Sequence, residues 1–348
     1  MLILDGGMGT ELENRGIDCS DPLWLTLWSA KFLLPINSDF LKCIESADPW
    51  TVDQLEKVNR ALDEHPEWLE SSQDNSNLLY RIHKDYVVAG ADIVTSASYQ
   101  ASLEGTIKAG AVQRWPEALW MLRKSEQLVR KAVTEAKVKR KVLLAASVGP
   151  FGAWLGGGQE YNGDYTGYTK DDIRRHHEFK IRAVLGGSPD MLLIETIPSI
   201  IEVEVLVDVL NTILPPSAIP VCLSLSVKSA DYDRVALADG SELSNIAELA
   251  ASCPSFTHLG VNCCAETVAK LSLDILQQHT SLQLIVYPNS GEVYDGATKT
   301  WSGNCDSSFL EAATLSDWQT SVSILGGCCR TGPPHIAFLR HKVDGFLS

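Results

Sequence analysis

The sequence predicts an α/β protein with a (β/α)8 TIM-barrel fold, and three observations carry that expectation. Short, continuously apolar runs alternate with longer amphipathic stretches eight times along the chain. The apolar runs lack the strict alternation of a sheet with one wet face, as expected for parallel strands buried on both sides. Most runs end in a polar residue, a glycine or a cysteine, which is where this architecture carries its binding groups. A doubly wound open sheet has a similar repeat and is the alternative.

The first strand is Leu2-Ile3-Leu4, ended by Asp5-Gly6-Gly7-Met8-Gly9-Thr10. Its glycines suit a close backbone approach to a ligand or a tight turn, and their spacing is not that of a dinucleotide-binding loop. Residues 13–76 follow no clean period. Trp24, Trp28, Trp50 and Trp68 alternate with the breakers Pro22, Pro35, Pro49 and Pro66. This stretch is expected to be an elaborated first loop with short helices packed on the body. Its part 53–75, with Glu56, Asp63, Glu64, Glu67, Glu70 and Asp74, is acidic and polar and is expected to be mobile. The whole of 1–348 is expected to be one domain, with 13–76 as the insertion.

From residue 77 the repeat is regular. Residues 78–89 have helical spacing, and Ile93-Val94 opens a strand ending in Thr95-Ser96. Residues 118–137 are amphipathic. The strand 142–146 ends in Ser147-Val148-Gly149-Pro150, and a loop rich in glycine and aromatics leads to a helix over 171–185. The remaining strands and helices pair as 191–194 with 200–214, 221–225 with 244–252, 257–261 with 266–279, 282–286 with 309–318, and 322–325 with 335–341. The strand ends then present Asp5, Ser96, Ser147, Glu195, Ser226, Cys263, Asn289, Cys328 and Cys329.

Composition narrows the function. A net charge of −15 disfavours nucleic acid and anionic membranes as partners, because a polyanion would be repelled. The amino terminus has no basic stretch ahead of a short apolar run, so a signal peptide is not expected. No run approaches the roughly 20 apolar residues of a membrane span. A cytoplasmic location follows as the expectation. Thiols stay reduced there, which leaves the nine cysteines available as metal ligands or nucleophiles.

Two cysteine motifs stand out. Gly326-Gly327-Cys328-Cys329-Arg330-Thr331 follows the last strand, and Gly260-Val261-Asn262-Cys263-Cys264 ends the sixth. Strands six and eight are two apart in a ring of eight, so their ends can converge. Cys263, Cys328 and Cys329 would then make a three-thiolate zinc site with one open position. Cys264 could close it, but successive residues at a strand end point apart. Three electron-rich sulfurs make zinc a weak Lewis acid toward water. They suit it to holding a substrate thiol as thiolate, a form scarcely populated by a free thiol with a pKa of about 8.5. The favoured reaction is alkyl transfer to sulfur.

These motifs, in order with Ser98-Tyr99-Gln100-Ala101, Glu160-Tyr161-Asn162-Gly163-Asp164-Tyr165, Glu195-Thr196-Ile197-Pro198 and Tyr287-Pro288-Asn289-Ser290-Gly291-Glu292, resemble the homocysteine S-methyltransferases. The resemblance covers nearly the whole chain outside roughly 13–76. It looks closest to the branch that uses S-methylmethionine or S-adenosylmethionine. It implies a zinc-dependent TIM barrel that makes methionine from homocysteine and a sulfonium methyl donor, with Cys263, Cys328 and Cys329 as zinc ligands. Glu195 would hold the homocysteine amino group, helped by Asp5 and the backbone of Gly6 and Gly7. Ser147, Tyr99 and Asn289 would shape the pocket. A sulfonium is a cation that wants an aromatic socket, and Tyr161, Tyr165 and Trp154 are its candidates. Selenocysteine or another small thiol is the alternative acceptor, and a non-catalytic zinc or redox-sensing barrel the alternative outside catalysis. The chain departs from the pattern in its long, tryptophan-rich first loop. Gly332 implies a looser last turn, and Cys264 is an extra oxidisable thiol. The C-terminal extension of the betaine-using branch is missing, so a monomer is expected.

Overall fold

The computed structural model describes residues 1–19, 36–43, 50–71, 74, 77–231, 234–295, 300–302, 318 and 321–347. In chain order the strands are β1 (Leu2–Ile3), β2 (Ile93–Thr95), β3 (Leu143–Val148), β4 (Met191–Ile197), β5 (Val221–Asp231), β6 (Arg234–Leu237), β7 (Phe256–Asn262), β8 (Gln283–Tyr287), β9 (Val293–Asp295), β10 (Thr300–Ser302) and β11 (Val322–Leu325). Eight of them form the barrel in the order β1-β11-β8-β7-β5-β4-β3-β2, and every pair along that path is parallel. The ring is completed between β1 and β2 by a parallel bridge from Leu4 to Ile93. Backbone bonds from Asp5 N to Ile93 O (3.0 Å) and Asp92 N to Ile3 O (2.7 Å) support that seam.

The barrel has two separate apolar layers. Leu4, Ile93, Ala145, Met191, Leu193, Cys222, Ile285, Tyr287 and Ile324 fill the interior. The intervening residues Val94, Leu144, Leu192, Leu223, Leu259, Val286 and Leu325 join the larger cluster beneath the helices. The strand period of two therefore sets the site. Two residues beyond the interior Ala145 and Leu193 lie Ser147 and Glu195.

The helices packed outside include Leu78–Ala89, Trp115–Ala136, Lys170–Leu185, Ile200–Ile213, Leu243–Ala251, Glu266–His279 and Pro333–Leu347. Several elements differ from the sequence expectation. Trp115–Ala136 starts ahead of residue 118 because Pro116 sits in its first turn, where its missing N–H costs nothing. β5 runs on beyond Leu225 to pair antiparallel with β6. β9 and β10 form a second small sheet. A short helix, Leu103–Lys108, follows β2. Of the expected helix over 309–318 only Trp318 is among the described residues, and Trp24, Trp28, Pro22, Pro35 and Pro49 lie outside them.

The acidic part of the insertion corrects the expectation of mobility. Val52–Glu64 is a helix whose Thr51 and Gln54 form a reciprocal capping box. Leu55, Val58 and Leu62 recur at helical spacing and are buried, while the acidic residues Asp53, Glu56, Asp63 and Glu64 occupy the other face. Trp50 meets Phe179 edge-on at 5.4 Å, and Trp68 meets Phe40 at 6.0 Å. A buried Lys124–Asp74 pair (2.7 Å) ties residue 74 to the body.

Candidate active site

Two turns bring three thiols together at the C-terminal mouth of the barrel. Asn262 is the last residue of β7 and points inward. Cys263 would point away by strand alternation, but its φ of 55° turns it back toward β11. Cys328 and Cys329 sit in the turn after β11, fastened by Cys328 N to Pro288 O (2.8 Å) and Ser290 N to Cys329 O (3.2 Å). Cys263 Sγ lies 2.9 Å from Cys328 Sγ and 3.4 Å from Cys329 Sγ. All three sulfurs fall within 4.8 Å of one another. Cys264 lies outside this group and joins the outer apolar cluster, where burial pushes its thiol up to about 12.

The three clustered thiols are held well above the ordinary thiol range. The hydrogen bonds among the sulfurs act first and in both directions, and burial raises each thiol further. Three convergent, partly exposed sulfurs form a donor set that could hold a metal ion, so the residues fit a thiolate-bound metal.

The glycines of the first loop admit a close approach of the chain to itself. A Cβ on Gly6 would lie 2.9 Å from Thr331 O, and one on Gly7 would lie 2.7 Å from Cys328 O. Gly7 N donates to Thr331 O at 3.0 Å. The close approach is to the chain's own cysteine turn. Gly332 does not loosen that turn, since its N–H bonds His335 Nδ1 (3.1 Å) and its carbonyl receives the first N–H groups of the last helix.

Two buried carboxyls lie at the strand ends. Asp5 accepts from Thr95 N at 2.9 Å. Burial pushes Asp5 up to about 8 against the Thr95 hydrogen bonds, and the charge of Glu195 adds to the rise. Glu195 accepts from the hydroxyls of Ser147 and Tyr287, the latter at 3.1 Å. Burial raises it, against Ser147, Tyr287 and the charge of Lys180. Glu195 stands within β4, not after it.

The remaining expected residues divide. Tyr161 stands at the mouth with its hydroxyl 3.9 Å from Cys263 Sγ. Tyr99 pairs with Thr196, and both Cys263 and Glu195 act on its hydroxyl. Asn289 accepts from Cys329 N at 3.1 Å and donates its own N–H to Cys264 O, so it joins the two cysteine segments. Tyr165 and Trp154 are engaged elsewhere. Tyr165 donates to Glu202 Oε2 at 2.5 Å, and both rings pack edge-on against Phe151.

Several residues went unread in the sequence. Asn262 accepts from Thr196 N (3.1 Å) and Ser224 Oγ (2.8 Å) and locks the β7 end to β4. Its signal was its place two residues after Gly260 in an inward register. Lys180 is buried and donates to Tyr99 O at 2.6 Å. Burial drives it down to about 7, opposed by Glu195, Glu104 and Glu202. Its seven-residue offset from buried Ile173 on the helix was the available clue.

Fold and site define a TIM barrel with a three-thiol cluster able to hold a metal ion and two buried carboxyls at its strand ends. The sequence profile of the homocysteine S-methyltransferase family matches residues 2–343. The homocysteine S-methyltransferase of Escherichia coli is 34% identical over 347 residues, covering 98% of this chain and 95% of that protein. A selenocysteine Se-methyltransferase of Brassica oleracea is 30% identical, covering 98% of this chain and 88% of that protein. The crystal structure of the homocysteine methyltransferase MmuM from Escherichia coli in its metallated form superposes with a TM-score of 0.72 at 31% identity, covering 98% of this chain and 96% of that one. The chain belongs to the homocysteine S-methyltransferase family.

Proposed function

We propose that this enzyme transfers a methyl group from a sulfonium donor, S-methylmethionine or S-adenosylmethionine, to the thiol of homocysteine, giving methionine. The observation that carries the reading is the convergence of Cys263, Cys328 and Cys329 at the barrel mouth of a member of this family. Zinc is the ion assigned to these sulfurs. When bound, it would supply the positive charge that keeps a substrate thiol ionised near neutral pH.

The chain's own residues do the rest. Asp5 and Glu195 are raised by burial, so an arriving ammonium restores their ionised forms. They are assigned to the homocysteine amino group, with Ser147 and Tyr287 holding Glu195 and Gly6 and Gly7 admitting the cysteine turn beside Asp5. Tyr99 and Asn289 shape the pocket. Tyr161 faces the donor, where cation–π contact contributes on the order of 0.5–2 kcal/mol. Trp154 and Tyr165 support that wall through Phe151. The sulfur–methyl bond forms on homocysteine as the donor's sulfur–methyl bond breaks. The thiol proton goes to solvent and the donor leaves as a neutral thioether, so no general acid is required. One domain over 1–348, a monomeric state and a cytoplasmic location complete the reading. The seven described cysteines are all free thiols.

The test is methionine formation by reduced, zinc-loaded protein given homocysteine and S-methylmethionine, beside a chelator-stripped sample. Methionine from the loaded sample alone supports donor, acceptor and metal together. None from either sample, with zinc still bound, would leave a metal-holding barrel without the transfer. Selenocysteine is a second acceptor to weigh, because one relative at 30% identity is a selenocysteine Se-methyltransferase. Competition between homocysteine and selenocysteine for limiting donor decides between them.

A further inference from the structure

The loop after β3 carries a buried carboxylate oxygen with nothing to bind. Glu160 lies in the short 3-10 turn Gln159–Tyr161. Its Oε2 is shielded from solvent and has no hydrogen-bond partner among the described residues. The turn is firmly placed, since a Cβ on Gly152 would come within 2.9 Å of Glu160 N. The charge of Glu160 is felt by Tyr99 and Tyr161, the same two rings that feel Cys263. Tyr161 itself brings its hydroxyl to 3.9 Å from that thiol. Burial raises the Glu160 carboxyl, opposed by a hydrogen bond from its own backbone N–H. An ionised carboxylate buried without a counter-ion is costly, and a cation entering from outside removes the cost.

We propose that Glu160 binds the positive charge of the sulfonium methyl donor and sets the enzyme's preference for a cationic donor; this rests on the methyl-transfer reading above. The physics specifies the kinetic signature. A sulfonium keeps much of its charge until the methyl has left, so a carboxylate beside it stabilises the bound donor and the transition state to a similar degree. Such a contact lowers the donor KM and leaves kcat little changed.

The test is steady-state methionine formation by zinc-loaded wild type, Glu160→Gln and Glu160→Asp, varying S-methylmethionine and homocysteine separately. For Glu160→Gln the donor KM is expected to rise roughly 10- to 100-fold, a loss of about 1.4–2.7 kcal/mol of charge attraction. Its kcat, homocysteine KM and zinc content should match wild type. Glu160→Asp, which keeps the charge, should recover part of the donor affinity. It also supplies the comparison if the glutamine variant loses zinc or fails to fold. An active wild type with the same donor KM in the variants overturns this assignment and leaves the methyl-transfer reading standing. A wild type that makes no methionine overturns that reading first, and this one with it.

Discussion

Cys263 joins the thiol cluster through one backbone angle. At φ 55° it occupies the left-handed region, which a β-carbon makes unfavourable by roughly 1–2 kcal/mol. The backbone bond from Cys263 N to Tyr287 O (3.3 Å) helps to hold that angle, and the side-chain bonds of Asn262 fix the strand end just before it. Glu195 is the residue whose role is most directly measurable. Glu195→Gln keeps the Ser147 and Tyr287 neighbours but removes the charge that an ammonium would meet. Homocysteine KM is expected to rise roughly 10- to 100-fold, with zinc content unchanged. An unaltered homocysteine KM would remove Glu195 from the substrate's amino group.

At the scale of elements, Glu202 organises the loop that carries Tyr161. From the helix Ile200–Ile213 it accepts from Phe151 N at 2.6 Å, Tyr165 Oη at 2.5 Å and His177 Nε2 at 2.6 Å. Three elements thus meet on one fully buried carboxylate. Glu202→Ala is expected to cost roughly 3–5 kcal/mol in denaturant unfolding, the range for breaking a buried pair. The pair also sets an acid limit. Burial lowers His177 from its ordinary 6.5 despite Glu202. Burial works to raise Glu202, but His177, the Phe151 N–H and Tyr165 outweigh it and hold the carboxyl below its ordinary 4.5. In both cases the unfolded chain binds the proton first. The stabilisation is complete above pH 6.5. It declines as pH falls, first through the His177 window and then through that of Glu202. Melting temperatures of wild type and His177→Gln between pH 7.5 and 5 check the sign, about 6.5 being the ordinary histidine value. The variant should lose less over that interval, and an equal loss in both would place the acid sensitivity elsewhere. The insertion offers a simpler test. Thr51→Ala removes the cap of Val52–Glu64 and should cost about 1 kcal/mol, read as a shift in denaturant midpoint at constant slope.

For the whole molecule, metal and fold are linked through the distance between β7 and β11 along the chain. An ion bound at the three thiols ties the ends of two strands separated by β8, so it should stabilise the barrel. At a free zinc concentration about 100 times its dissociation constant, the gain is about 2.7 kcal/mol. Thermal unfolding with zinc against chelator should show that gain in wild type and lose it in Cys329→Ala, together with turnover. A zinc-dependent shift surviving in Cys329→Ala would place the ion elsewhere. The charge of −15 spreads over a surface that shows no membrane-spanning helix among the described residues.

Much of this was readable from residue order alone. Continuous apolar runs at eight places specify parallel strands because both faces of each strand must be dry. Glycines before paired cysteines specify a tight turn carrying two thiols. Those are local properties, legible from neighbours in sequence. Tertiary structure decided the rest, because the remaining properties depend on residues far apart in the chain. Whether Cys263 or Cys264 turns inward depends on a backbone angle held by β8. Glu160, Glu202 and Lys180 look like ordinary charged residues on a loop and two helices until the barrel closes around them. Burial then leaves one carboxylate oxygen without a partner among the described residues, ties three elements to the second, and drives the lysine toward neutrality. The acidic insertion was misread for the same kind of reason: its charges were counted, while the apolar spacing of Leu55, Val58 and Leu62 becomes decisive only against the helices it covers.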